Sequence, residues 1–141
     1  MAATYNLQIV TPEREIFNAS VESIRLPGLD GSFGVLRGHA PIVAALDAGI
    51  VYMIDGEIRH QSLVIGGGFF QMANNKAILL ADSAQFTQEI DTEAAQAEER
   101  QARAKLEQEM GPEFAAQREA AAQALKLAQI KQRASSTVSR Q

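Results

Sequence analysis

The two histidines, His39 and His60, are the residues whose chemistry most readily serves metal binding or proton transfer. The surrounding pattern places His39 in a turn and His60 in a β-hairpin. A zinc site usually takes more ligands than two histidines supply, and neither His-x-His nor His-x-x-x-His spacing occurs. The chain has no cysteine, which excludes disulfides, thiolate metal sites and cysteine nucleophiles. We therefore expect no metal site.

Two other groups of residues suggest catalysis or phosphate binding, and both are incomplete. A Ser-His-Asp triad can be written from Ser32, His39 and Asp47, but no nucleophile elbow accompanies it. The glycine run at residues 66–68 lacks the Lys and Ser or Thr of a phosphate loop, and two phenylalanines follow it instead of a helix. A strand bend where another backbone passes closely is the favoured interpretation. The pattern indicates a partner-binding protein rather than an enzyme.

The composition divides the chain into two parts. Nine of the ten glycines precede residue 86, among short β-branched and aromatic runs with turn signals about every ten residues, which is typical of a sandwich or barrel. Residues 89–141 instead hold 13 Ala, 8 Gln and one Gly. We predict an α+β chain with a β-sandwich of about ten strands over residues 1–87, an antiparallel α-helical hairpin over residues 88–134, and a disordered tail over residues 135–141.

Turn chemistry predicts two β-hairpins. Asp55-Gly56 lies between two apolar runs and supplies the positive φ that a type I′ turn requires. Asn74-Asn75 predicts a second hairpin turn.

At the start of the chain, Tyr5, Leu7 and Ile9 alternate with polar residues, as in a half-buried strand.

The second part predicts two helices joined by a hinge. The first helix begins at Asp91 or Thr92, either of which can cap it, and Gly111-Pro112 ends one helix and starts the next. Most residues on the apolar stripes are small, and each buried methylene contributes only about 0.8 kcal/mol, so we expect a weakly held hairpin. The stripe residues are Ala94, Ala95, Ala102, Leu106 and Met110, then Phe114, Ala121, Leu125 and Ala128.

Charge differs between the two predicted helices. Residues 89–113 carry eight acids and three bases, whereas residues 114–141 carry one acid and five bases. The two helices should attract each other when folded together, and the second, once released, should suit an acidic partner groove. The alternative is that these charges only form solvated faces. The basic residues are Arg118, Lys126, Lys131, Arg133 and Arg140.

A membrane location would have to depend on other proteins. Residues 1–7 lack the basic and apolar regions of a signal peptide, and no apolar stretch approaches the roughly 20 residues that cross a bilayer. The formal charge of −4 gives no reason to expect nucleic acid or an acidic membrane surface as the main partner.

Several segments together resemble the ε subunit of bacterial F-type ATP synthase, over essentially the whole chain. They are residues 5–10, residues 31–41 (GSFGVLRGHAP), Gly67-Gly68, residues 80–84 (LADSA) and the Ala-rich two-helix tail. The resemblance implies a non-catalytic rotor subunit of a proton-translocating complex, with no cofactor, monomeric when isolated. It also implies a peripheral location on the cytoplasmic face of the plasma membrane or another energy-coupling membrane, such as the thylakoid.

In that family the sandwich binds the γ subunit and rests on the c-ring. The helical hairpin folds down or extends along γ towards the α/β catalytic subunits, and the extended form restrains ATP hydrolysis. By position, the resemblance assigns the inhibitory helix to Arg118, Lys126, Lys131 and Arg133. It assigns contacts with the c-ring and γ to Asp30, Gly31, Ser32, His39, Ala40 and Ile42.

Some family members bind ATP on the hairpin through an Ile/Leu-Asp-x-x-Arg-Ala motif. This chain retains Asp91 but has Ala94 in place of the arginine, so we expect weak or absent ATP binding. Three alternatives remain: a free-standing β-sandwich binding module with a dimerising helical arm, a small enzyme using His39, and a nucleotide sensor.

Overall fold

A computed structural model of the chain describes residues 3–108 and 112–139. The chain forms two compact units, one ending at Phe86 and the other beginning at Thr87. Met110 and Gly111 of the predicted stripe and hinge, and residues 140 and 141 of the predicted tail, lie outside the described residues.

The first unit holds seven strands in its described part, fewer than the predicted number of about ten. β2, β4 and β5 each have 14 residues, and β4 and β5 continue through Gly49 and the glycine run at residues 66–68, so that segments counted as separate strands are joined. In β5, Gly67 and Gly68 take φ of 100° and 149° and bend the strand, while pairing with β4 resumes on both sides. The strands are β1 (Tyr5–Val10), β2 (Glu15–Gly28), β3 (Gly31–Leu36), β4 (Ile42–Asp55), β5 (His60–Ala73), β6 (Lys76–Ala81) and β7 (Ala84–Phe86).

The predicted close backbone approach at the glycine run is confirmed. A Cβ at Gly68 would lie 2.0 Å from the carbonyl oxygen of Leu80 on β6, so no other residue fits there. On the other side of the bend, the carbonyl of Gly67 accepts the Asp82 N–H at 2.9 Å. The run is therefore a structural bend against a neighbouring backbone.

Pairing closes five strands into a ring in the order β1-β6-β5-β4-β2, while β3 pairs with β2 and β7 with β5. Because β4 and β5 bend, the ring flattens into two layers. The front layer comprises β1, β6, residues 15–20 of β2, residues 42–46 of β4 and residues 68–73 of β5. The back layer comprises β3, β7 and the remaining paired segments of β2, β4 and β5.

The two layers enclose one core, chiefly aliphatic. The rings of Phe33 and Phe70 meet edge to face at 6.2 Å, and the buried Tyr5 hydroxyl donates to the Val35 carbonyl at 2.8 Å. Tyr5, Leu7 and Ile9 are all buried, which confirms the predicted alternation in β1.

The turn between β4 and β5 differs from the predicted type I′ turn. Positive φ occurs at Ile58 (62°), not at Gly56, and the Ile58 N–H bonds the Asp55 carbonyl at 3.0 Å. This is a type I turn followed by a left-handed residue. The Asp55 carboxylate imposes it by accepting the backbone N–H groups of Glu57 and Arg59 at 2.9 and 3.0 Å.

The Asp55 carboxylate should make the fold sensitive to acid. The Arg59 N–H, helped by the Glu57 N–H and the Gln61 amide, lowers the pKa of Asp55 from 3.8 to about 2. Because its pKa is lower folded than unfolded, this group stabilises the fold above pH 3.8, and the contribution is lost as pH falls towards about 2. Asp55→Asn should lower the urea concentration at the unfolding midpoint at neutral pH. It should also make that midpoint decrease less steeply as the pH falls from 3.8 to about 2. Asp30→Asn, on an exposed turn, is the control; an unaltered acid response in Asp55→Asn would contradict the assignment.

The second unit contains α1 (Thr92–Gln108) and α2 (Ala115–Ser139), with one-turn 3-10 helices at Thr87–Glu89 and Pro112–Phe114. Asp91 caps α1, since its Oδ1 accepts the N–H groups of Glu93 and Ala94 at 3.0 and 3.3 Å. α2 runs past the predicted end at residue 134 because no Gly or Pro follows to stop it. In the described residues, neither helix has the length and apolar content needed to span a bilayer.

Alanines line much of the buried surface of the two helices. Ala95, Ala102, Ala121 and Ala128 are buried as predicted, and Ile130 and Ala134 join them. The prediction was wrong for Ala94 and Phe114, which are exposed, and Leu106 and Leu125 are half-buried. Small side chains thus form most of the buried stripe, which agrees with a weakly held hairpin.

Candidate functional site

The outer surface of the front layer carries exposed apolar side chains on adjacent strands. Phe69 on β5 is 59% exposed and pairs with Leu80 on β6, which is 47% exposed, and with Ala45 on β4. Val43 lies two residues before Ala45, on the same side of β4, and is 73% exposed. We call this surface the apolar face: Val10, Val43, Ala45, Phe69, Ile78 and Leu80.

Strand alternation places these apolar side chains on the outer surface of the sheet. Phe70 and Leu79 point inward and are fully buried, so their neighbours Phe69 and Leu80 must point outward. A sheet with one solvated face ordinarily places polar residues there. Adjacent exposed apolar side chains of this size are typical of a surface that binds another protein.

The connection between β3 and β4 borders one end of the apolar face. The His39 N–H bonds the Leu36 carbonyl at 3.2 Å, and Gly38 has φ of 81°, which together define a type II turn. Ala40 is exposed at this turn, while the half-buried His39 places Nδ1 2.7 Å from the Ala40 carbonyl. The predicted contact residues His39 and Ala40 therefore lie directly before β4.

Ile42 is placed differently from its neighbour. Its side chain is half-buried and packs against the core, whereas Val43 points outward into the apolar face. The predicted partner contact of Ile42 stays a prediction, and Val43 is the exposed apolar residue at that point of the strand.

The turn between β2 and β3 lies at the other end of the same segment of β4. Leu29 and Asp30 form its exposed tip, and the Leu29 N–H bonds the Ala45 carbonyl at 3.1 Å. Gly31 has φ of 126°, and the Ser32 hydroxyl accepts a hydrogen bond from Arg25 at 3.1 Å. The structure thus brings both predicted contact segments to residues 42–46 of β4.

The sequence prediction missed Val43, Phe69 and Leu80. A signal was available, because Phe69-Phe70 and Leu79-Leu80 are adjacent apolar pairs within strands. Successive side chains in a strand point to opposite faces, so each pair must place one apolar side chain outside the core.

The catalytic alternative gains no support from the geometry. Ser32 accepts from Arg25, His39 lies against the Ala40 carbonyl, and Asp47 accepts the Ala48 N–H at 2.8 Å. Each member of the possible triad thus has another hydrogen-bond partner. Across residues 3–108 and 112–139, no group of three or more His, Asp and Glu side chains is arranged to hold a metal ion.

The predicted basic residues of α2 differ in their surroundings. Lys131 Nζ lies 3.2 Å from Glu98 Oε2 on α1, and only 18% of the Lys131 side chain is exposed. Lys126 and Arg133 are exposed, and Arg118 is half-buried. The Arg118 Nε is buried without a hydrogen-bond partner among the described residues.

Two further polar contacts join the helices beside the Lys131–Glu98 pair. Gln132 donates to Glu99, and the hydroxyls of Thr92 and Ser135 lie 2.7 Å apart. The Gln132 amide, followed by the Arg103 guanidinium, lowers the pKa of Glu99. The three contacts lie where the start of α1 meets the end of α2. We call them together the polar latch: Lys131–Glu98, Gln132–Glu99 and Thr92–Ser135.

The position of the possible nucleotide motif is also clear. Asp91 uses its carboxylate to cap α1, and Ala94 presents an exposed methyl group in the first turn. A methyl group donates no hydrogen bond to phosphate. Weak or absent ATP binding stays a prediction.

Comparison with known proteins identifies the family. Residues 4–87 match the family model described as ATP synthase, Delta/Epsilon chain, beta-sandwich domain. The ATP synthase epsilon chain of Carboxydothermus hydrogenoformans is 38% identical over 107 residues, covering 75% of this chain and 78% of that protein. The corresponding chain of Moorella thermoacetica is 40% identical over 114 residues, covering 80% of this chain and 85% of its relative.

Solved structures agree in fold. A chain of the Euglena gracilis mitochondrial ATP synthase, in a structure of OSCP/F1/c-ring, matches with a TM-score of 0.75 at 25% identity, covering 91% of this chain and 79% of that one. A chain of the Tetrahymena thermophila mitochondrial ATP synthase central stalk/c-ring matches with a TM-score of 0.58 at 14% identity, covering 92% and 95%, which supports the fold alone. Because the family model matches residues 4–87 and the two bacterial relatives are 38% and 40% identical over most of this chain, the chain belongs to the family of ATP synthase epsilon chains.

Proposed function

We propose that this chain is a non-catalytic central-stalk subunit of a bacterial F-type ATP synthase. The sandwich docks on the γ subunit through the apolar face and rests on the c-ring, so that the subunit is peripheral to the membrane on its cytoplasmic side. The observation that carries this proposal is the exposure of Val43, Phe69 and Leu80 on three adjacent strands. Family membership and the F1/c-ring setting of the Euglena relative support it.

The apolar face has enough surface to contribute strongly to docking. Complete burial of a Val, Leu or Phe side chain is worth about 1.5–3 kcal/mol, and this face offers three that are about half or more exposed. The cost of association and of ordering side chains offsets part of this gain. The two turns at the ends of residues 42–46 provide polar groups at the rim, with Asp30 and Ser32 at one end and His39 at the other.

A titration of purified γ with the isolated chain tests this proposal. We expect a one-to-one complex by calorimetry and by size measurement, with the chain monomeric before γ is added. A chain that dimerises on its own and ignores γ would instead support the free-standing binding module with a dimerising arm.

We further propose that the helical hairpin brakes ATP hydrolysis when it opens and extends towards the α/β subunits. Basic residues of α2 then meet acidic groups of a catalytic subunit: Arg118, Lys126, Lys131 and Arg133. The polar latch opposes this because Lys131 is occupied by Glu98 while the hairpin is closed. Gly111 and Pro112 serve as the hinge in this proposal.

Weakening the polar latch should strengthen the brake. Glu98→Gln removes the charge facing Lys131. Glu98 is about half exposed, and an ion pair at a protein surface is worth about 0.2–1 kcal/mol, so the population of the open form should rise roughly 1.4- to fivefold. ATP hydrolysis by the assembled complex should fall by a corresponding factor. Glu107→Gln, at an exposed position on the same helix, is the control. Equal hydrolysis in both variants would contradict a regulatory role for the latch.

A further inference from the structure

Asn75 connects the β5–β6 turn to the turn that precedes β4. Asn74 and Asn75 both have positive φ, 53° and 59°, as the two central residues of a type I′ turn require. The Asn75 carbonyl accepts the Asn6 N–H at 3.2 Å, which fixes this turn to the start of β1. The Asn75 side chain points to a third segment, where its Oδ1 accepts the Gly38 N–H at 2.7 Å.

The Gly38 N–H is the group that distinguishes two types of turn. In a turn over residues 36–39, the central peptide joins Arg37 to Gly38, and type I and type II turns differ by a flip of that peptide. Gly38 has φ of 81°, which matches type II. A bond from Asn75 Oδ1 to this N–H holds the peptide in the type II orientation and opposes the flip.

The fixed peptide sets the direction in which the chain enters β4. His39 and Ala40 follow it immediately, and Val43 of the apolar face is only a few residues further along. We propose that Asn75 is a positioning residue for partner docking: it touches no partner itself, but it holds the turn over residues 36–39 in the orientation that the γ subunit recognises. This inference rests on the proposed function, because it assigns a role to Asn75 at the same docking surface.

The side chain of asparagine meets two demands at once. The left-handed backbone at residue 75 favours Gly, Asn and Asp over other residues, and the bond to Gly38 needs a short side chain with an acceptor oxygen. Aspartate meets both demands, whereas glycine meets only the first. Asn74 shares the backbone conformation, but within the described part of the chain its side chain makes no hydrogen bond, so it provides a matched control.

Three variants of the full-length chain test the proposal: Asn75→Gly, Asn75→Asp and Asn74→Gly. Asn75→Gly keeps the type I′ turn and loses the acceptor, so amide exchange at Gly38 should accelerate and affinity for purified γ should fall about three- to tenfold. Asn75→Asp should restore both values close to those of the wild type, and Asn74→Gly should change neither. Thermal unfolding of all three variants checks that the sandwich stays folded.

The outcomes separate this inference from the proposed function. If wild-type chain fails to bind γ, the docking proposal fails and the positioning role fails with it. If wild-type chain binds γ but Asn75→Gly binds equally well, only the positioning role is overturned. The role is also overturned if Asn74→Gly weakens binding as much as Asn75→Gly, or if Asn75→Asp rescues neither Gly38 exchange nor affinity.

Discussion

Replacing Phe69 by aspartate is expected to weaken binding to the γ subunit by roughly a hundredfold or more, because it removes a large apolar contact and buries a charge in its place. Phe69 is 59% exposed and lies between Ala45 and Leu80 at the centre of the apolar face. Its loss should therefore affect docking far more than folding. Calorimetric titration with γ gives the affinity, and thermal unfolding gives the stability.

Tyr52→Asp is the matched control for this experiment. Tyr52 lies on the back-layer segment of β4, pairs with Arg25 and Ser62, and is 51% exposed. The same charge is thus added at similar exposure on the other layer, and the affinity for γ should change little. Equal losses in both variants would mean that the apolar face is not the docking surface.

Deleting residues 112–141 is expected to raise ATP hydrolysis by the assembled complex several-fold while leaving assembly intact. The deletion removes α2 and all the basic residues assigned to the brake. The first unit keeps its own core and the apolar face, so its attachment to γ should persist. Hydrolysis rate and subunit composition should be measured on the same purified complex.

A charge-only variant separates the basic residues from the bulk of the helix. Replacing Arg118, Lys126, Lys131 and Arg133 together by glutamine keeps a helix-compatible side chain at each position. It should relieve the brake to a similar extent as the deletion. Hydrolysis that is unchanged by both variants would refute a braking role for the hairpin in this complex.

Local patterns were sufficient to predict much of the fold. The alternation of Tyr5, Leu7 and Ile9 predicted β1, and the chemistry of Asp91 predicted the start of α1. The glycine run before Phe69 predicted a bend with a close backbone, which Gly68 and Leu80 confirm. Each of these features depends on residues close together in sequence or on the steric size of one residue.

The number of strands and one turn depended on longer-range or competing interactions. A glycine that ends a strand and a glycine that bends one look alike in sequence, and only the resumed pairing of β4 with β5 distinguishes them. At the β4–β5 turn, hydrogen bonds to the Asp55 carboxylate override the preference of Asp-Gly for type I′. They hold the β-branched Ile58 in a conformation that its own preference disfavours.

The candidate site was predictable only in part. The resemblance assigned contacts to Ile42 and to the two turns that flank residues 42–46, but it assigned none to the exposed residues of the apolar face. The bond from Asn75 to Gly38 joins residues 37 positions apart, so no sequence pattern at either residue indicates it. Such contacts are set by the packing of whole strands.

Single-cysteine crosslinking within the assembled complex is the most direct test of the docking surface. The chain has no cysteine, so Val43→Cys and Tyr52→Cys each introduce a unique attachment point for a short photoreactive crosslinker. We predict efficient crosslinking to γ from position 43 and little from position 52. Crosslinking to γ from position 52 with none from position 43 would contradict docking through the apolar face.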